Sequence, residues 1–372
     1  MGPSPRTIPT DTMTSRWNRS RLLAVGGALT LVVGCGSPAS PSPGTETPTS
    51  HAAGSQPAST SQPPPGSSPA GTPFRLVEFP VTPGSHPHDV APAADGGVWY
   101  TGQRNGTLGY LDPATGDVRE IALGQGSAPH GVIVDRDGAP WVTDGGLNAI
   151  VRVDPVTEQA DVHRLPADAA DANLNTATFD GDGVLWFTGQ AGIYGRFDPR
   201  GDGVDVFQAP GGRGPYGMTT TPGGEVWYAS LAGSHIALID RSSGAATTVV
   251  PPTAGQGARR VWAAPDGRLW VAEWNAGQVA VHDPGSGSWR EWRLPGAAPQ
   301  AYAVFVDDQG IVWLTDFGSN AIVRFDPGSE TFAPLTVPTP DSAIRQLLGR
   351  RGEVWGAESG ADKLVVVHTD GA

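Results

Sequence analysis

Asp95-Gly96-Gly97-Val98-Trp99-Tyr100-Thr101 reads as a tight turn, an apolar residue and a tryptophan on a strand. The same phrase returns around Trp141, Trp186, Trp227, Trp270, Trp313 and Trp355, at successive spacings of 42, 45, 41, 43, 43 and 42 residues. A period of roughly 40 to 45 residues, with a turn and alternating apolar positions in each copy, is the sequence mark of a β-propeller blade. Seven copies predict an all-β protein, a seven-bladed β-propeller.

Around Trp99 the copy resolves into four strands. His88 to Ala93 leads into the Asp95-Gly96-Gly97 turn and then Val98 to Thr101. Asn105-Gly106 turns into Leu108 to Leu111, and Pro113 to Gly116 turns into Val118 to Ile121. Asn-Gly and Asp-Gly pairs supply the positive φ angles that short hairpin loops need. The unit is therefore a four-stranded antiparallel meander. The last copy ends after three strands, at Leu364 to His368, while Phe74-Arg75-Leu76-Val77-Glu78-Phe79-Pro80 looks like a fourth strand without a blade. Residues 74 to 80 are thus expected to complete the last blade and close the ring, which removes exposed strand edges.

The repeat also locates a site. The first strand of each blade lines the channel and the second runs antiparallel to it, so the start of one and the end of the other share a face of the disc. Eleven residues before each tryptophan stand His88, His130, Asn175, Tyr216, Arg259, Tyr302 and Ile344; three residues after stand Gly102, Asp144, Gly189, Ser230, Glu273, Asp316 and Glu358. A residue that packs blades should recur, whereas one that does chemistry need occur only once. By that test the seven tryptophans and the repeated Asp-Pro turns are structural. His163, His282 and His368, on outer strands or near the terminus, read as packed or solvated, and His235 falls in a turn. His86, His88 and His130, from neighbouring blades, enter one channel mouth, with Asn175, Tyr216, Arg259 and Tyr302 as further substrate contacts.

Composition narrows the class. The 372 residues include 52 glycines and 36 prolines, too many for long helices, and one period from about residue 74 onward argues for one body. A net charge of −13 and the lack of a basic stripe disfavour nucleic acid as a partner. Arg16, Arg19 and Arg21, then the apolar run Leu22 to Val33 and Gly34, form an export signal too short for a permanent span. Val32-Val33-Gly34-Cys35 resembles the bacterial lipobox, so residues 1–35 are expected to be a lipoprotein signal, with lipid on Cys35 tethering the protein outside the cytoplasmic membrane. Met13 stands as a second candidate start. Residues 36–73, nearly all Ser, Pro, Gly, Thr, Ala and Gln, read as a disordered spacer, and 74–372 as the propeller, expected to be monomeric because a closed ring leaves no edge to pair.

Ala-Pro-His130-Gly, Gly-Pro-Tyr216-Gly, Trp270-Val-Ala-Glu273-Trp and Ser-Asn320-Ala-Ile-Val-Arg324 resemble motifs of the streptogramin B lyase (virginiamycin B lyase) family across residues 74–372. That resemblance implies a carbon–oxygen lyase that linearises a cyclic depsipeptide antibiotic by elimination, with a histidine base and Mg²⁺ held by carboxylates. Carried over, His130 is the base, His88 contacts substrate and Asp144 is a metal ligand. The family's other metal-binding glutamate corresponds to Ala128, for which Asp89 or Glu358 is the available substitute. Two alternatives stay open: a non-catalytic extracytoplasmic propeller that binds a peptide, sugar or protein, and a metal-dependent hydrolase like the six-bladed gluconolactonases, against which seven copies argue.

Overall fold

Three blades are stitched by the same local chemistry, seen clearly in the second. Asp135 accepts from the backbone N–H groups of Asp137 and Ala139, both at 2.9 Å, and its other oxygen takes the Trp141 indole N–H at 2.8 Å. The carboxylate thus fixes the hairpin turn and anchors the tryptophan in one motif. Asp180 does the same for Trp186, and Asp307 for Trp313.

The computed structural model describes residues 74–201 and 203–369. The signal and lipobox expectations, with Cys35, and the whole of the 36–73 spacer fall outside them. The first full blade is β2 (Pro87–Pro92), β3 (Val98–Gly102), β4 (Thr107–Leu111) and β5 (Val118–Ala122), paired antiparallel in that order. Five more sheets repeat it in sequence order. The seventh is β1 (Arg75–Pro80), β28 (Lys363–His368), β27 (Glu353–Glu358) and β26 (Ile344–Arg350), so the first strand completes the last blade as expected. The Lys363 ammonium bonds Glu78 at 2.7 Å, and Phe79 stacks on Trp355 with centroids 5.6 Å apart. Outside the strands, one three-residue 3₁₀ turn, Ala167–Ala169, is the helical element among the described residues.

The core lies between blades. Trp99 packs with Val132, Val142 and Val151 of the second blade, Trp141 with Leu185 and Phe187 of the third, and Trp355 with Val90, Val98 and Tyr100 of the first. Each repeat tryptophan is at most 3 % exposed, so the hydrophobic gain of folding is realised only when blades stack.

The innermost strands are β2, β6 (Pro129–Val134), β10 (Leu174–Phe179), β14 (Pro215–Thr220), β18 (Ala258–Ala263), β22 (Ala301–Val306) and β26. They surround a channel cavity of about 260 Å³. Each of these strands breaks register with its neighbour near its start, for example between Pro87 and Val90 and between Ala258 and Arg260. Such a bulge inserts an extra residue and re-aims side chains. Consecutive residues such as His88 and Asp89, which strict alternation would separate, can then serve one cluster.

Candidate functional site

The bulge at the start of β2 brings His88 Nδ1 to 2.8 Å from Asp89 Oδ1. Asp89 is also gripped by Arg260 from β18, with Nη2 to Oδ1 at 2.9 Å and Nη1 to Oδ2 at 3.4 Å. Arg260 Nη1 donates on to Thr176 Oγ1 at 2.8 Å, Thr176 Oγ1 to Asn175 Oδ1 at 3.0 Å, and Asn175 Nδ2 meets His130 Nε2 at 2.9 Å. The His88 and His130 rings face each other with centroids 3.6 Å apart. Four innermost strands meet here, and His88, Asp89, His130, Asn175 and Arg260 are all at most 5 % exposed.

The direction of these bonds fixes the proton positions. Arg260 donates to the Thr176 hydroxyl, and that hydroxyl gives its own proton to Asn175 Oδ1. The Asn175 NH₂ therefore faces His130, whose Nε2 carries the lone pair and whose Nδ1 carries the hydrogen. On the other side Asp89 can only accept, so His88 donates from Nδ1 and keeps its lone pair on Nε2. Burial holds both imidazoles well below their ordinary pKa. For His88 the Arg260, Arg345 and Arg259 charges add to it; for His130 the nearby His88 and then Arg260 and Arg345 do, against an opposing pull from Asp89. Both rings are neutral at pH 7.

Beside the histidines stands an aromatic and cationic wall. Tyr216 and Tyr302 share a hydrogen bond of 2.5 Å, and Arg259 donates to the Tyr216 hydroxyl at 2.9 Å. The Arg259 guanidinium carbon lies 3.7 Å from the Tyr302 ring centroid and 4.9 Å from that of Trp274. Arg345 sits 6.0 Å from Tyr302, with Nε on Ser359 Oγ at 2.6 Å. Burial alone would raise the Tyr302 pKa, yet the three guanidiniums carry it below its ordinary value, while burial and the adjoining phenol push Tyr216 up.

The structure thus brings together His88, His130, Asn175, Tyr216, Arg259 and Tyr302. His86 stands apart, half-buried at φ 49°, its N–H held by Asp362 at 2.8 Å. The carboxylates three residues past each tryptophan do not join them. Asp144 is committed to its own blade: Oδ1 takes the N–H groups of Ala128 and Leu147, both at 2.9 Å, and Oδ2 takes the Ser127 hydroxyl. Asp316 likewise caps Gln300 and Gly318. Glu273 and Glu358 are sealed from solvent, and burial raises each to about 8. The carboxylate bonded within the cluster is Asp89. His235 opens a strand rather than lying in the turn before it, with Nδ1 on Gly233 O at 3.1 Å.

Sequence reasoning gave no role to Arg260 or Thr176, nor to the threonine staples. Thr101 Oγ accepts from the bulged Asp89 N–H at 3.0 Å and donates at 2.8 Å to the His130 carbonyl of the next blade. Thr143 makes the same link from Gly131 to Asn175, and Thr188 from Thr176 to Tyr216. The available signal was the phrase Trp-X-Thr at Trp99, Trp141, Trp186 and Trp313, absent after Trp227, Trp270 and Trp355.

His88, Asp89 and His130 offer three ligand atoms within 4.8 Å of one another, a spacing one metal ion could bridge. Two imidazoles and a carboxylate suit a borderline transition ion. Mg²⁺ asks for near-octahedral oxygen ligands. Here Ala128 has none, the Asp144 oxygens already serve protein donors, and Asp89 is ion-paired to Arg260 beside two further arginines. Mg²⁺ does not fit these residues.

Fold and site together define a seven-bladed propeller with a histidine–arginine mouth, able to move a proton and to meet negative charge. The profile of the virginiamycin B lyase family matches residues 117–372, and the chain belongs to that family. It is similar to the selenomethionine-substituted virginiamycin B lyase from Staphylococcus aureus (20% identity, 79% of this chain and 99% of that one, TM-score 0.74). A catalytically inactive histidine-to-alanine variant of that S. aureus enzyme with quinupristin is 21% identical over 79% of this chain and 99% of that one, TM-score 0.73. The YCF48 protein bound to a D1 peptide is 18% identical over 80% and 96%, TM-score 0.64. At these identities the likeness establishes the fold. The search of curated proteins finds no match.

Proposed function

We propose that the protein is an extracytoplasmic lyase that opens a cyclic depsipeptide of the streptogramin B type, or a related ester, by elimination. The observation that carries this reading is the neutral, facing His88/His130 pair with Asp89 behind it. A carboxylate that takes the Nδ1 proton leaves a basic Nε2 on the far side of the ring, the arrangement of a base and its orienter. His88 Nε2 bonds no described residue, whereas the His130 lone pair is covered by Asn175 Nδ2. Hydrogen-bond polarity therefore favours His88 as the base, in place of the His130 that the resemblance suggests, with the His130 Nδ1–H as a donor to substrate. Neutral imidazoles can take a proton from a carbon next to a carbonyl without first losing one. The Mg²⁺ that the resemblance implies is omitted from the reaction because of the donor set.

Export and lipidation at Cys35 belong to the same reading, since a cell-surface lyase meets an antibiotic before it enters. Among the described residues no helix is long and apolar enough to cross a membrane. The test is mass spectrometry of a type B streptogramin incubated with the protein. Elimination yields a linear product of unchanged mass with a new dehydro residue, and hydrolysis adds one water. An intact ring after incubation with folded protein refutes the lyase. The second reading, a binding propeller without chemistry, is favoured by the near-complete burial of His88 and His130, at 2 % and 5 % exposure. It predicts ligand binding without turnover and no linear product.

A further inference from the structure

On the seven innermost strands, the buried side-chain polar atoms without a partner are His130 Nδ1, Arg259 Nε and Arg260 Nε. All three are donors, the first by the bond polarity derived above. A buried donor without an acceptor is costly, more so when charged, and such a set calls for an acceptor. Charge points the same way. Arg259, Arg260 and Arg345 all act on Tyr302 and His88, while the carboxylate bonded within the cluster is Asp89 alone. Two histidines held neutral add nothing, which leaves two uncompensated positive charges in a protein whose net charge is −13.

We propose that the channel mouth is an anion site, built on Arg259 and Arg345 with the His130 Nδ1–H, that takes a carboxylate. Arg259 is positioned for this by its stacking on Tyr302 and Trp274, which restrains the guanidinium without consuming its Nε donor. Arg260 serves as the fixed charge that orders Asp89, Thr176 and Asn175 around it.

Resting on the lyase reading, the site also has a place in the reaction. The base on His88 takes the α proton, and the C–H electron pair becomes the new carbon–carbon double bond. The Cβ–O pair departs on the ester oxygen as a carboxylate, and no water enters. The leaving group is then the anion this mouth receives, so guanidinium supplies the charge stabilisation that a divalent cation would otherwise give.

The test separates the two claims. Calorimetric titration of the protein with N-acetylphenylalanine and with its primary amide compares an anion with a neutral probe of the same shape. The acid is expected to bind at least tenfold tighter, and its affinity should fall as salt rises. Arg345→Met, at a half-buried residue, should weaken the acid at least tenfold and leave the amide unchanged; Arg259→Met should do the same if circular dichroism shows it folded. Equal binding of acid and amide, no binding of the acid, or an unchanged preference in Arg345→Met overturns the anion site, whatever the turnover. Acid binding with no elimination leaves the anion site standing and removes the lyase. If turnover is present, chelator should leave the rate unchanged; a rate lost to chelator and restored by Mg²⁺ overturns the role given to the arginines.

Discussion

Asp89→Ala should be the most disruptive single change at the mouth, because it strands the Arg260 guanidinium, 6 % exposed as a side chain, without its counter-ion. Two unit charges at roughly 4 Å interact by about 4 kcal/mol at an effective dielectric near 20. Removing one partner of a buried pair costs ~3–5 kcal/mol in comparable cases, since the other charge stays buried. Unfolding entropy near ~2.1 cal/mol/K per residue, over roughly 300 folded residues, is about 0.6 kcal/mol/K, so the loss corresponds to a Tm about 5–8 °C lower. The informative assay is a double-mutant cycle in urea with Arg260→Met. The pair Asp89→Ala/Arg260→Met should recover most of the loss, with a coupling energy above ~2 kcal/mol. A single mutant within ~1 kcal/mol of the parent, or strictly additive losses, would refute the buried ion pair as the organiser of the site. In the two variants that lack Asp89, His88 loses its orienter, and elimination should fall by about 10²–10⁴-fold, the usual worth of acid–base assistance.

Other expectations follow from the same geometry. His88 and His130 are held below their ordinary pKa, so the acid limb of the pH–rate profile should lie below the usual imidazole range near 6.5; Arg345→Met removes one of the causes and should move that limb upward. A limb unmoved and centred at 6.5 would contradict the burial argument. Glu273 and Glu358, raised to about 8, bind protons in the folded state that the unfolded chain has already released. Their contribution is full below the ordinary glutamate pKa near 4.5 and is lost as pH rises to about 8, with a slope of ~1.4 kcal/mol per pH unit for each group. Urea titrations across that window should show the slope, and Glu358→Gln should remove its share. Trp355→Ala, which empties the interface between the last and first blades, should cost about 3–5 kcal/mol, read as a lower urea midpoint. A cost no larger than for an exposed residue would deny the closure its energetic role.

The period of the tryptophans was enough to specify the propeller, down to residues 74–80 completing the final blade, because a repeat that cannot bury its own apolar face has one economical solution: to stack and close. The same period located the mouth and six of its residues, since counting from Trp99 and its copies is counting along a rigid scaffold. The chain order could not reveal which neighbours those residues choose. His88 and Asp89 act together because a bulge breaks the two-residue alternation, and a bulge has no reliable mark in Ser-His-Pro-His-Asp. Asp144 looked available by position, yet three local donors claim it. Arg260 and Asp89 lie 171 residues apart, and only ring closure brings them to 2.9 Å. Secondary structure and repeat number are set by local pattern and so are written in the sequence. Proton positions, pKa shifts and the sign of the mouth depend on charges and donors gathered from five blades, and those distances exist only once the ring has closed.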